Sequence, residues 1–137
     1  MRFYLVLIFV AYQMLSFAQT SDKYSSKYAA FYRAEELFEK HQFGAARIEF
    51  RTFISDLQNP HDPLYEKAMY YEALAALELF NNDAVKLMED FNRNYLESIY
   101  KNGIYFRLGQ YYYQNKKYKD AIEWFKKLKK ADLEKDL

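Results

Sequence analysis

The chain has no cysteine, which removes disulfides, thiolate metal centres and thiol nucleophiles from consideration. Histidine is nearly as scarce. His41 and His61 are the only two, each in a turn-like stretch with no second ligand at a metal-like spacing. Three glycines and two prolines leave no glycine-rich loop to cradle a phosphate and point to helices with short connections. No long run alternates apolar and polar residues, so strands are not expected. The formal net charge is only +1, which gives no general attraction to nucleic acid or to a membrane surface. Carboxylates occur as the adjacent pairs Glu35-Glu36 and Glu89-Asp90, and neighbours on a helix diverge by about 100° instead of converging on a substrate. No catalytic residue, cofactor or metal is expected from this pattern, and no nucleic-acid partner.

What the chain does contain is apolar and aromatic. Over its 137 residues, 51% are hydrophobic and 20% are aromatic, fifteen of them tyrosine. That suffices for one all-α domain whose core is built from large rings with polar edges.

The first eighteen residues differ from the rest. Arg2 is a lone positive charge, Phe3 to Val10 is an unbroken apolar run, and Ser16-Phe17-Ala18 has the small-x-small form of a cleavage site before Gln19. This predicts a secretory signal peptide over 1–18. The apolar run falls short of the roughly 20 residues a spanning helix requires, so no transmembrane segment is expected after cleavage. Residues 19–27 are polar and predict a flexible lead.

Helical periodicity begins at Tyr28 and fills the chain to Lys130. Its clearest stretch runs from Asn94 to Phe125. Ile104, Tyr105, Leu108, Tyr111 and Tyr112 recur at three- and four-residue steps, as do Tyr118, Ala121, Ile122 and Phe125. The polar turn Gln114-Asn115-Lys116-Lys117 between them is so short that the two helices must lie antiparallel. Gly109 and Ala121 are the small residues, expected to face one another where the helices cross. Phe43, Ala46 and Phe50 follow His41-Gln42 in the same pattern. Ala84 and Met88 follow Asn81-Asn82-Asp83, with Asp83 or Asn82 as a candidate N-cap. Asn59-Pro60-His61-Asp62-Pro63 is the strongest punctuation, and the helix after it is apolar almost all round. The small residues Ala46, Ala84 and Ala121 are 38 and 37 apart, and the large residues Phe50, Met88 and Phe125 repeat the same steps. Three helical hairpins are therefore predicted, over about 28–57, 64–95 and 99–130, with residues 131–137 beginning a further, incomplete helix.

Tyr105, Leu108, Gly109, Tyr112, Tyr118, Ala121 and Phe125 stand where the tetratricopeptide repeat (TPR) places its large and small residues, and the chain resembles that family over residues 28 to 130. Asn94-Tyr95-Leu96-Glu97-Ser98 is similar to the loop before a helix in TPR proteins of Gram-negative envelopes, with Leu96 where those carry proline and without their acylated cysteine. The resemblance implies hairpins stacked as a short right-handed solenoid. It also implies a concave groove for peptide segments, faced by Phe31, Glu35, Phe38, Phe106, Gln110 and Tyr113. Tyr105, Leu108 and Tyr112 would then pack within their hairpin.

Charge is unevenly spread. Asp56 to Glu97 carries nine acids against three bases, and Lys116 to Lys130 carries seven lysines against two acids. Solvated outer faces account for both, and lysines also favour a helix C-terminus. The alternative is a bipolar surface that orients partners or stacks copies. The last helix presents Trp124 and Leu128 toward a predicted exposed edge, where the protein would self-associate or meet a partner.

Together with the expected signal peptide, the resemblance implies a non-catalytic protein–protein interaction scaffold, exported to the periplasm, whose partners are other envelope proteins or peptide segments. The alternatives are an amino-terminal piece of a longer repeat protein and a helper of an outer-membrane carbohydrate importer. Amino-terminal sequencing of the native protein should find Gln19 first, in a periplasmic fraction. Retention of Met1 in a cytoplasmic fraction would reject export.

Overall fold

Residues 28–135 are described by the computed structural model, and among them there are six helices and no strand. They are α1 (Ala29–Glu39), α2 (Phe43–Leu57), α3 (Pro63–Glu78), α4 (Ala84–Asn94), α5 (Lys101–Gln114) and α6 (Tyr118–Lys135). The expected signal peptide and polar lead lie outside the described residues. None of the described helices is long and apolar enough to cross a membrane. The chain divides into two compact units within α3, one ending at Ala68 and the other beginning at Met69.

In the first unit α1 and α2 form an antiparallel hairpin held by rings. Phe31 lies 6.0 Å from Phe50 and 5.3 Å from Phe53, and at the other end Phe38 lies 5.1 Å from Phe43. Ala46, fully buried, gives the two helices their close approach. Asp62 then does two things. Its Oδ1 accepts the Leu64 backbone N–H at 2.9 Å, capping α3, and its Oδ2 accepts the Tyr28 hydroxyl at 3.1 Å. Pro63 occupies the first helical position, where a missing N–H costs nothing.

The second unit holds the rest of α3 with α4, α5 and α6. Five consecutive residues of α3, Glu72 to Ala76, are buried, which requires cover around a full helical turn. Tyr70 is a hub: its ring stacks on Tyr100 at 4.6 Å and meets Phe91 of α4 at 5.9 Å. Burial, ahead of the charges around it, raises the Tyr70 pKa above the ordinary tyrosine value. Its hydroxyl occupies the space where a side chain at Gly103 would stand. Tyr112 of α5 donates to Glu89 Oε1 of α4 at 3.2 Å. Asp83 sits at the N-cap of α4 but makes no side-chain capping bond.

All three hairpin turns end their first helix the same way. Gln42 N–H donates to Leu37 O and His41 N–H to Phe38 O. Asn81 and Phe80 donate to Ala76 O and Leu77 O, and Lys117 and Lys116 to Tyr112 O and Tyr113 O. This crossed pair is the Schellman arrangement, which puts one residue in the left-handed region. Those residues are His41, Phe80 and Lys116, with φ of 56°, 55° and 60°. None is glycine.

Two expectations from the sequence are corrected. Helix α6 runs unbroken to Lys135, so residues 131–135 continue it instead of opening a new helix, because no glycine or proline interrupts Leu128 to Lys135. The residue facing Gly109 is Phe125, not Ala121. A Cβ at Gly109 would come under 3.0 Å from three atoms of that ring. Ala121 is nonetheless buried, as are Ala46 and Ala84 at the same repeat position.

Gly109→Ala gains about 1 kcal/mol of helix propensity but drives a methyl into Phe125, a cost of about 1–3 kcal/mol. Its melting temperature should fall. Gly44→Ala meets nothing within 4 Å, and its melting temperature should stay level or rise. Equal behaviour of the two variants would show that the Phe125 ring moves aside freely.

Candidate binding crevice

Within the second unit the end of α3 and the carboxyl half of α5 enclose a crevice of about 470 Å³. Leu77, Glu78, Phe80, Asn81 and Asn82 line it from the α3 end and its turn. Arg107, Gln110, Tyr111, Gln114 and Asn115 line it from α5 and the residue that ends it. The α5 residues share a side because 107, 110, 111 and 114 lie three and four apart. The α3 residues come to the same place because the Schellman turn folds Phe80 to Asn82 back beside the last helical turn.

Five of these ten side chains are carboxamides. Each offers a carbonyl acceptor and an N–H donor from one planar group, the complement of one peptide unit. The Asn115 amide already donates to Tyr111 O at 2.8 Å, and its carbonyl remains an acceptor. The only lining charges are Arg107 and Glu78, whose Nη1 and Oε1 are 3.4 Å apart, with both side chains about a third or more exposed. A pair so loose and so hydrated contributes little to stability, so Arg107 keeps donors for a ligand. Phe80, on the rim, is 88% exposed and left-handed. For a bulky side chain that conformation is an outlier, and here no burial of the ring offsets it.

Compared with known proteins, the chain matches no family model, and no curated protein or solved structure is significantly similar to it.

Of the residues expected to face a groove, Gln110 lines the crevice. Phe106 and Tyr113 are exposed on α5, a quarter-turn or so away. Phe31 is instead fully buried, because its ring fills the hairpin interior between Phe50 and Phe53. Glu35 is half-buried and paired with Lys67 Nζ at 2.5 Å. Phe38 is half-buried against Phe43. Phe31, Glu35 and Phe38 belong to the first unit, and Phe106, Gln110 and Tyr113 to the second. At the expected edge, Trp124 and Leu128 are both half-buried. Trp124 is covered by Tyr105 at 5.9 Å and by Lys127 Nζ at 3.4 Å from its ring centre. Among the described residues, the exposed large hydrophobic side chains of α6 are Tyr118 and Ile122. Sequence reasoning missed Phe80, Asn81, Asn82, Arg107, Gln114 and Asn115 as crevice residues. The available signal was the amide pairs Asn81-Asn82 and Gln114-Asn115 at the ends of two successive hairpin helices.

Phe80→Gly relieves the left-handed backbone and should raise stability by about 1 kcal/mol, read as a higher thermal midpoint. A lower midpoint would show that the ring has packing it needs.

Proposed function

We propose that this chain is an exported scaffold of the TPR type, working in the periplasm of a Gram-negative envelope, and that its crevice holds an extended segment of another envelope protein. The observation that carries this reading is the row of five carboxamides along the crevice. An extended chain presents unpaired N–H and C=O groups at every residue, and such groups lose free energy when desolvated without partners. Amide side chains supply both partners without fixing the sequence that is read, which suits a protein that holds polypeptide. Arg107 adds one charged donor, and Phe80 and Tyr111 add ring surface. The repeat character is supported by the three like turns and by the burial of Ala46, Ala84 and Ala121.

The mature protein should bind members of an array of unstructured peptides drawn from envelope proteins. Asn81→Ala combined with Gln114→Ala should weaken that binding by about tenfold, the loss of one or two net hydrogen bonds. Unchanged affinity in the double variant would remove the crevice from the function. Binding of soluble oligosaccharides in place of peptides would favour a carbohydrate-importer helper instead.

A further inference from the structure

A second surface lies on the α5–α6 hairpin, and its form differs from that of the crevice. On α5, Phe106, Gln110 and Tyr113 recur at i, i+4 and i+7; on α6, Tyr118, Ile122 and Phe125 do the same. The two stripes lie side by side and antiparallel. Phe106 meets Phe125 at 6.3 Å, and Tyr113 meets Tyr118 at 5.5 Å. Gln110 and Ile122 are the middle members. Four of the six are open to solvent, Phe106 at 47%, Tyr113 at 61%, Tyr118 at 53% and Ile122 at 52%, while Gln110 and Phe125 are half-buried.

We propose that this face docks an amphipathic helix of a partner protein, with an apolar stripe flanked by acidic residues. Shape selects the helix. Two parallel stripes of side chains, two turns long and joined by ring contacts, make a nearly flat face across a hairpin, the form on which a third helix packs. An extended strand would find almost nothing here to satisfy its backbone, since α5 and α6 use their own backbone groups internally and Gln110 is the only carboxamide in the two stripes. Charge selects the flanks. Lys119 and Lys126 stand three before and four after Ile122, on one side of α6 beside the stripe, and both are exposed. Lys126 holds Glu123 Oε1 at 2.9 Å, but both side chains are about two-thirds exposed, so a partner carboxylate exchanges with that pair at little cost. Asp120 falls on the opposite side of the helix, away from Ile122. The α6 edge of this face is therefore basic, with Lys119 and Lys126 nearer the stripe than Glu123. The proposal does not depend on the crevice: residues Asn81 and Gln114 take no part in it.

The test uses the mature protein and two synthetic helices with the same leucine stripe, one flanked by glutamates and one by lysines, with binding read by fluorescence anisotropy. The glutamate helix should bind, and the lysine helix should bind at least about tenfold more weakly. Ile122→Asp, at an exposed position, should abolish binding without lowering the melting temperature. Lys119→Glu with Lys126→Glu should reverse the preference between the two helices. Asn81→Ala with Gln114→Ala should leave it unchanged, which separates this surface from the crevice. Equal affinity for both helices, or equal binding of a proline-interrupted glutamate peptide, would overturn the proposal. So would a concentration-dependent dimer abolished by Ile122→Asp with no helix bound, since a second copy would then be the occupant.

Discussion

The constraint on which the rest depends is the reversal of the chain between paired helices within three residues. A helix leaves its last carbonyls without partners, and here each hairpin satisfies two of them with the crossed bonds of one left-handed residue. That geometry fixes the angle at which the second helix departs, and so which stripe of each helix meets the other. Glycine is the residue best suited to it, yet His41, Phe80 and Lys116 occupy the three sites. Two of the three glycines stand elsewhere, under the Phe125 ring at Gly109 and under the Tyr70 hydroxyl at Gly103. The hairpins therefore tolerate strain of about 1 kcal/mol at each turn, while these two glycines admit aromatic groups that any side chain would exclude. Ring packing between the helices stabilises the reversals; the reversals do not stabilise themselves.

Tyrosine serves this plan better than a wholly apolar residue. Many of the rings sit at half-buried positions, where one edge packs and the other meets water or a polar partner. Tyr28 reaches Asp62, and Tyr112 reaches Glu89. Each of these bonds ties helices that are not neighbours in one hairpin, α1 to the start of α3 and α5 to α4. Burial and then the neighbouring Glu89 carboxylate raise the Tyr112 pKa, the direction expected for a hydroxyl that donates to a carboxylate. Rings supply the area within hairpins, and hydroxyls supply the ties beyond them.

Much of the helical plan was legible in the chain because it rests on periodicity and punctuation. The polar turns at His41-Gln42, Asn81-Asn82 and Asn115-Lys116 fall where helices end, and Ala46, Ala84 and Ala121 are all buried at the steps the repeat arithmetic gives. The left-handed turn residues were not legible, since histidine, phenylalanine and lysine carry no signal for that conformation. Nor was the partner of Gly109. Spacing places two small residues near a crossing, but one residue of offset between antiparallel helices decides whether a methyl or a ring fills the gap. Gln110, which the family resemblance places on a groove, lines the crevice. Periodicity does not tell the inner from the outer aromatic ring of a stripe, and Phe31, which the same resemblance places on a groove, fills an interior. Asn81, Asn82 and Asn115 read as punctuation in the sequence because turn residues and crevice-lining carboxamides are the same residue types.

The small residues at the crossing also explain how one helix can serve two surfaces. Ile104, Tyr105, Leu108 and Gly109 form the buried side of α5, and Gly109 lets Phe125 approach so closely that this side need be no wider. A helix whose buried face is narrow has two others to present. On one side of α5, Arg107, Gln110, Tyr111 and Gln114 line the crevice with amides. On the next, Phe106, Gln110 and Tyr113 join the stripe of α6. A larger residue at 109 would push α6 outward, separating the Phe106–Phe125 and Tyr113–Tyr118 pairs that make the second surface flat, while the crevice, built from α3 and the far side of α5, would keep its lining. Gln110 is the one side chain shared by both, at the border between the amide-lined crevice and the aromatic stripe. The physical independence of the two surfaces thus rests on the packing of a single glycine against a single ring.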